Sequence, residues 1–415
     1  MGSFAEPGWS ARRRPVPATV DRSRSLAIFL AGQLCVCGLA CAAGSAVGED
    51  DASEAVFRDL WEHATLWQDP ESGSLLALSG RLQLDSYWFS ADSDDVSPGA
   101  DDHANDTTWR RFRFGFLSRL GGVYTIHLEA DLDLNNKLGK QYNRLTDAYV
   151  GYSPGSAWNI KLLKQSVGYT LDGATSSKRL LTLQRNNLTN NLWATDEYFS
   201  GLHIGGSVDD WSYRAGLFSG DDSEEIGLDN VGYFTLLSIG YSLADRLSLD
   251  EALIRVDYVF NDKHHDEQAG KGSDYDNNAT PDFRHTGSLV TEWQKGAWGL
   301  RTGTSVGQGL ALQSNMWGLV VMPFYSFTPR QQLVLRYTYL DSDGENGLTL
   351  GRYENQIVSG EGDRYNEIYF GYNLFIYGQK LKWQTGIQFA KMQDRADDGG
   401  KYAGWGLTTG LRTYW

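Results

Sequence analysis

Cysteine is missing from this 415-residue chain beyond position 41, proline is scarce at 9 residues, and after the N-terminus no apolar run reaches eighteen residues. Each absence excludes something. A mature segment without thiols has no disulfide, no thiolate nucleophile and no Cys-ligated metal, which suits export. Without a long apolar run, no helix can cross the ~30 Å hydrocarbon core of a bilayer. The mean hydropathy of -0.41 is likewise too polar for a bundle of membrane helices. What remains open is a membrane protein built of strands, each needing only ~10 residues of alternating apolarity. No metal site and no cofactor are expected.

The three cysteines, Cys35, Cys37 and Cys41, fall within an N-terminal stretch with its own pattern. Arg12, Arg13, Arg14, Arg22 and Arg24 precede an apolar run from Leu26 to Ala40, and the small residues Ala42, Ala43 and Ala46 follow. Charge, apolar core and small residues in that order form a secretory leader, assigned to 1–46. A lipid anchor on Cys41 is disfavoured, because Gly38 stands where such sites carry Leu. Residues 47–74 read as a periplasmic segment with a short helix over 53–68, placing Val56, Leu60, Ala64 and Trp67 on one face.

From Leu75 the period changes to two. Leu76, Leu78, Leu82, Leu84 and Trp88 alternate with Ser79, Arg81, Gln83, Asp85 and Tyr87, and Phe112, Phe114 and Phe116 alternate with Arg111 and Arg113. The same parity recurs to the last residue and gives about sixteen strands. Their connections alternate in length. Tight turns such as Gly121-Gly122, Asp209-Asp210 and Thr328-Pro329-Arg330 stand between long acidic stretches such as 91–108, 219–230, 261–282 and 341–363. Tryptophan and tyrosine cluster at strand ends, as an interfacial girdle requires. These features predict an all-β, transmembrane, antiparallel up-and-down barrel over 75–415 in a bacterial outer membrane. The final alternating strand, ending in Trp415, is similar to the terminal signal read by barrel assembly machinery.

Parity also sorts the charges. The net charge of -15 lies mainly in the long connections, whereas inward positions carry twelve basic against eight acidic residues. Arg81, Arg111, Arg113, Lys161, Arg214, Arg301 and Arg336 are the candidate pore wall. Between the fifth and sixth strands, 166–197 forms a less acidic connection carrying Lys178, Arg179 and Arg185, the candidate constriction. A narrow basic channel in a low-dielectric wall attracts small anions. The alternative is that these cations pair with inward carboxylates and stiffen the wall.

Leu171-Asp172-Gly173-Ala174-Thr175-Ser176-Ser177-Lys178, with Thr182-Leu183-Gln184-Arg185-Asn186 after it, resembles the loop motif of the phosphate-selective porin O and P family. Lys161 to Gln165 and Trp109 to Gly115 are similar to that family's early strands. The resemblance runs from about Leu75 to the C-terminus and is most specific over 109–186. It departs from the family at Leu163-Lys164-Gln165 and Gly168, where Gly-Gln-Phe and Pro are expected, and at Gln184, where Glu-Arg is usual. The resemblance implies a porin whose third long loop folds into the lumen, a homotrimer in outer-membrane lipid, and small solutes, phosphate among them, as cargo. No nucleic-acid partner is expected.

Three alternatives stand beside it. One is a non-selective or cation-preferring general porin. Another is a barrel enzyme, a lipase or protease, using Ser200 or Ser238 with His203 or His285. The third is a structural anchor. Asp341-Ser342-Asp343-Gly344-Glu345-Asn346 lacks the glycine and flanks of a calcium loop. His264-His265 reads as a surface cluster, and Gly307-Gln308-Gly309 lacks the helix that a dinucleotide site needs.

Overall fold

The computed structural model describes residues 57–415 except 60, 93–94, 96, 98–100, 193–196, 222, 229–231, 263–282 and 311–312. The expected leader, its cysteines and His264-His265 therefore lie outside the described residues.

Alternation produces strands wherever it was read. The wall is made of β2 (Ser74–Ala91), β3 (His103–Leu120), β4 (Tyr124–Leu132), β5 (Tyr142–Tyr152), β6 (Asn159–Ser166), β7 (Tyr198–Val208), β8 (Trp211–Ser219) and β9 (Tyr233–Ser242). It continues through β10 (Glu251–Asn261), β11 (Phe283–Lys295), β12 (Trp298–Gly309), β13 (Met316–Thr328) and β14 (Gln331–Ser342), and ends with β17 (Arg364–Tyr377), β18 (Leu381–Gln393) and β19 (Tyr402–Tyr414). Each pairs antiparallel with the next, and β19 pairs back to β2 from Gly404↔Ala91 to Tyr414↔Arg81. Sixteen strands thus close into a ring in which each strand has a neighbour on both sides, as a strand wall inside a membrane requires. Two short strands, β15 (Leu348–Thr349) and β16 (Glu361–Gly362), pair within the connection between β14 and β17.

The N-terminal segment differs from its reading. Residues 57–59 and 61–62 are helical, but the expected helix does not reach 68, because Thr65–Asp69 forms a strand, β1. β1 pairs with the start of β2, from Thr65↔Ala77 to Asp69↔Ser74, just where β19 has ended. The partnerless ladder positions of β2 outweigh the helical spacing. Trp61 Nε1 donates to the Tyr414 carbonyl at 2.5 Å, which ties this segment to the closing seam.

Parity decides burial. Phe114, Phe116, Leu128, Phe370 and Phe389 are exposed on the outer face, while Arg81, Asp85, Arg113 and Glu129 are buried inside. The inner face is less uniformly wet than its polar reading suggested. On β13, Met316, Val320, Met322 and Phe324 are buried inward while Trp317 and Val321 face outward, so this strand is apolar on both faces. The inward side chains pack with Leu171, Leu181, Leu188 and Leu192 of the 167–197 connection and with Leu348, Leu350, Tyr353, Ile357 and Val358 of 343–363. An apolar core therefore sits within the barrel, between one arc of wall and two loops.

Candidate functional site

The site is the space left beside the 167–197 loop. That loop is pinned from several sides, mostly by wall cations donating to its carbonyls. Arg214 donates to Gly168 O at 2.8 Å and Arg255 to Thr170 O at 2.8 Å. Lys382 Nζ donates to Leu180 O at 2.9 Å, and Arg336 to Thr182 Oγ1 at 2.9 Å and Gln184 O at 3.0 Å. Short helix α1 (Asn187–Leu192) then packs against β12–β14. Thr170 and Glu197, at the two ends of the loop, hold positive φ of 66° and 67°. The strain of a β-branched residue in that region persists because Asp257 accepts from the Thr170 N–H at 3.1 Å.

The wall candidates consequently have different duties. Arg336 and Glu367 form a fully buried pair at 2.8 Å, and Arg336 holds the loop. Arg81 bridges Glu129 at 3.2 Å and Ser177 Oγ at 2.9 Å. Arg214 bonds Asp257 at 3.2 Å, and Arg301 pairs with Glu292 at 3.3 Å. Arg113 pairs with Asp131 at 3.4 Å and also donates to the Tyr198 hydroxyl. Arg111 donates to Gln83 Oε1 at 3.0 Å, and Lys161 lies 4.8 Å from the Tyr149 ring centre.

The constriction candidates also separate. Arg185 is buried, donating to Asp172 O at 3.0 Å and to Glu197 at 3.1 Å. Burial alone would raise the Glu197 carboxyl, but the Arg185 and Arg113 guanidiniums hold it near about 2. Arg179 is exposed. Lys178 is partly buried with Nζ 4.9 Å from the Tyr414 ring centre, and burial together with the Arg81 guanidinium pushes its amine down to about 8.

Two chambers flank the loop. The outer one, about 760 Å³, lies at the long-loop end and is lined by six arginines, Arg110, Arg111, Arg113, Arg144, Arg185 and Arg352, against four carboxylates. The inner one, about 590 Å³, lies at the short-turn end and is lined by Arg119, Lys161, His203, Arg214 and Arg255, with no lining carboxylate among the described residues. Sequence parity missed Arg110, because the register slips one residue between Gln83↔Arg111 and Leu84↔Trp109 and turns adjacent arginines to the same chamber. It also missed Arg144 and Arg352. The first is a strand-start residue and the second a loop residue, to which alternation does not apply.

Of the proposed serine–histidine pairs, Ser238 Oγ donates to Asp257 at 2.7 Å and His285 meets the Tyr258 hydroxyl. A different pair is in contact, Ser79 Oγ with His127 Nε2 at 2.8 Å, but Ser79 also donates to Glu129 Oε2 at 2.8 Å. In the acidic stretch 341–346, which lacks the features of a calcium loop, Asp341 is engaged by Arg364 at 2.7 Å.

The family model for phosphate-selective porin O and P matches residues 77–233. The comparison with curated proteins finds no match. Among solved structures, OmpF of Salmonella typhi in complex with daunomycin aligns at a TM-score of 0.58 and 15% identity, over 84% of this chain and 100% of that one. The anion-selective porin from Comamonas acidovorans aligns at 0.54 and 14%, over 82% and 100%. OmpT of Vibrio cholerae aligns at 0.53 and 11%, over 85% and 100%. At these identities the structures share a fold with this chain, that of outer-membrane β-barrels, and the phosphate-selective porin O and P pattern is matched over residues 77–233.

Proposed function

We propose that this porin passes small hydrophilic solutes by passive diffusion with a preference for anions, phosphate among them, and without a catalytic step. One observation carries the reading: the spaces on both sides of the 167–197 loop are lined by an excess of cations, although the whole chain is acidic. In a low-dielectric wall that excess sets the sign of the local field. The Comamonas acidovorans protein is itself described as anion-selective. Lys178 and Arg185 act beside the passage. Arg111, Arg113, Lys161 and Arg214 line it, while Arg81 and Arg336 hold the loop that shapes it and Arg301 braces the wall.

A catalytic role is disfavoured by the Ser79 hydroxyl, whose proton is directed to a carboxylate rather than held for a base. The protein acts as a homotrimer in outer-membrane lipid after delivery to barrel assembly machinery, for which the β19 terminus is the recognised element. A solved trimer form of Vibrio cholerae OmpT gives that arrangement a precedent. Reversal potentials across a potassium chloride gradient in planar bilayers test the reading. Chloride preference is the expected result, and potassium preference defeats it.

A further inference from the structure

The outer chamber carries more than a surplus of charge. Arg113 and Arg185 are matched to Asp131 and Glu197, but Arg110 and Arg352 have no carboxylate partner among the described residues, and they repel one another. Among the same residues Arg111 has the neutral acceptor Gln83 and no carboxylate partner. Among the described residues six arginines stand against four carboxylates, a formal excess of two positive charges in the lining. Guanidiniums gathered without counter-ions destabilise the empty chamber, so a dianion entering it relieves repulsion as well as gaining charged hydrogen bonds.

The rest of the lining is chemically different. Asn143, Asn190 and Asn355 face this chamber with side chains that make no hydrogen bond within the described residues. A free carboxamide offers two donors and an acceptor, a match for the donor and acceptor of an alcohol. Leu180, Leu183 and Leu350 provide an apolar wall that lowers the local dielectric. At about 760 Å³ the chamber is also far roomier than an inorganic anion requires.

Building on the anion reading above, we infer that the outer chamber is a binding subsite for hydroxylated organic phosphates, the sugar-phosphate class. Arg110, Arg111 and Arg352 take the phosphate, and Asn143, Asn190 and Asn355 take the hydroxyls. A phosphate monoester carries close to two negative charges at neutral pH, equal to the excess in the lining. Charge alone would serve a dicarboxylate or inorganic phosphate equally well; the free carboxamides favour a ligand with alcohols.

The test uses the full-length porin in planar bilayers, with chloride current as the signal and probes added at the long-loop side. Glucose 6-phosphate is expected to block at a concentration about tenfold lower than inorganic phosphate or succinate, and glucose alone is expected to leave the current unchanged. Arg110→Ala combined with Arg352→Ala raises the half-blocking concentration of glucose 6-phosphate by about tenfold. Asn143→Ala with Asn355→Ala raises it about threefold and moves the inorganic phosphate value less. Heat-modifiable gel migration verifies that each variant is a folded barrel. If glucose 6-phosphate blocks no better than inorganic phosphate or succinate in a chloride-preferring channel, this inference is overturned while the anion reading stands. Potassium preference in the same bilayers overturns the anion reading itself.

Discussion

Single residues show how the barrel divides its cations between holding and conducting. Arg336 is buried against Glu367 and gives two further bonds to the 167–197 loop. Arg336→Met leaves the carboxylate buried without its cation, a loss of about 3–5 kcal/mol. The expected outcome is a lower unfolding temperature in detergent and larger, noisier single-channel currents, because the loop loses a tether. Lys178 contributes differently. Its amine, held down at about 8 by burial and by Arg81, is charged below that pH and neutral above it. Anion preference should therefore weaken as pH rises from about 7 to about 9, and Lys178→Gln should abolish that titration. A reversal potential that is flat with pH in the native channel argues against a place for Lys178 beside the passage.

At the scale of elements, the connection between β14 and β17 matters as much as the third long loop. Its 3-10 turn, Glu354–Gln356, places the Glu354 carboxyl in the apolar core, where it accepts from the Gly351 N–H, the Tyr365 hydroxyl and the Gln388 amide. Burial, with Glu367 nearby, pushes this carboxyl up to about 7. For a raised carboxyl, the stabilisation is complete below the ordinary value of 4.5 and is lost as pH climbs through about 7. The loop should then loosen as pH rises towards about 7 and change little above it, seen as faster tryptic cleavage at Arg352 at about pH 7 than at about pH 6, and Glu354→Gln should remove that difference. The seam is another element-scale device. Gly80 lies where a Cβ would meet the Trp415 ring and the Arg113 carbonyl, so Gly80 keeps the last residue seated against β2 beside β1.

For the whole molecule, the wall is uneven. The arc β4–β9 is made of strands of 8 to 11 residues, whereas β2 and β3 each have 18. A strand of 8 residues, tilted as barrel strands are, spans less than the ~25 Å apolar band of an outer-membrane barrel. Lipid covers such an arc poorly, and another copy of the chain covers it better. With the cysteines confined to the first 41 residues, a Leu202→Cys variant on β7 should cross-link into dimers in native membranes, while Phe370→Cys, on the far side of the ring, should not. Equal cross-linking at both positions would argue against a contact between copies at this arc.

The sixteen strands, their register parity and the short–long rhythm of turns were legible in the chain itself, because a period of two and a glycine- or proline-bearing turn are local properties. β13 even advertises that both its faces are apolar, since 316–324 is almost continuously apolar. Other features depend on residues far apart in sequence. The helical spacing of 53–68 yields to a strand because β2 has an open edge there, and Arg110 joins Arg111 because a bulge opposite Gln83 shifts the face. Which inward cations hold a loop and which line a chamber was not written in the strands. The loops themselves decide it, by presenting carbonyls to Arg336, Lys382, Arg214 and Arg255 and leaving Arg110, Arg111 and Arg352 without carboxylate partners among the described residues.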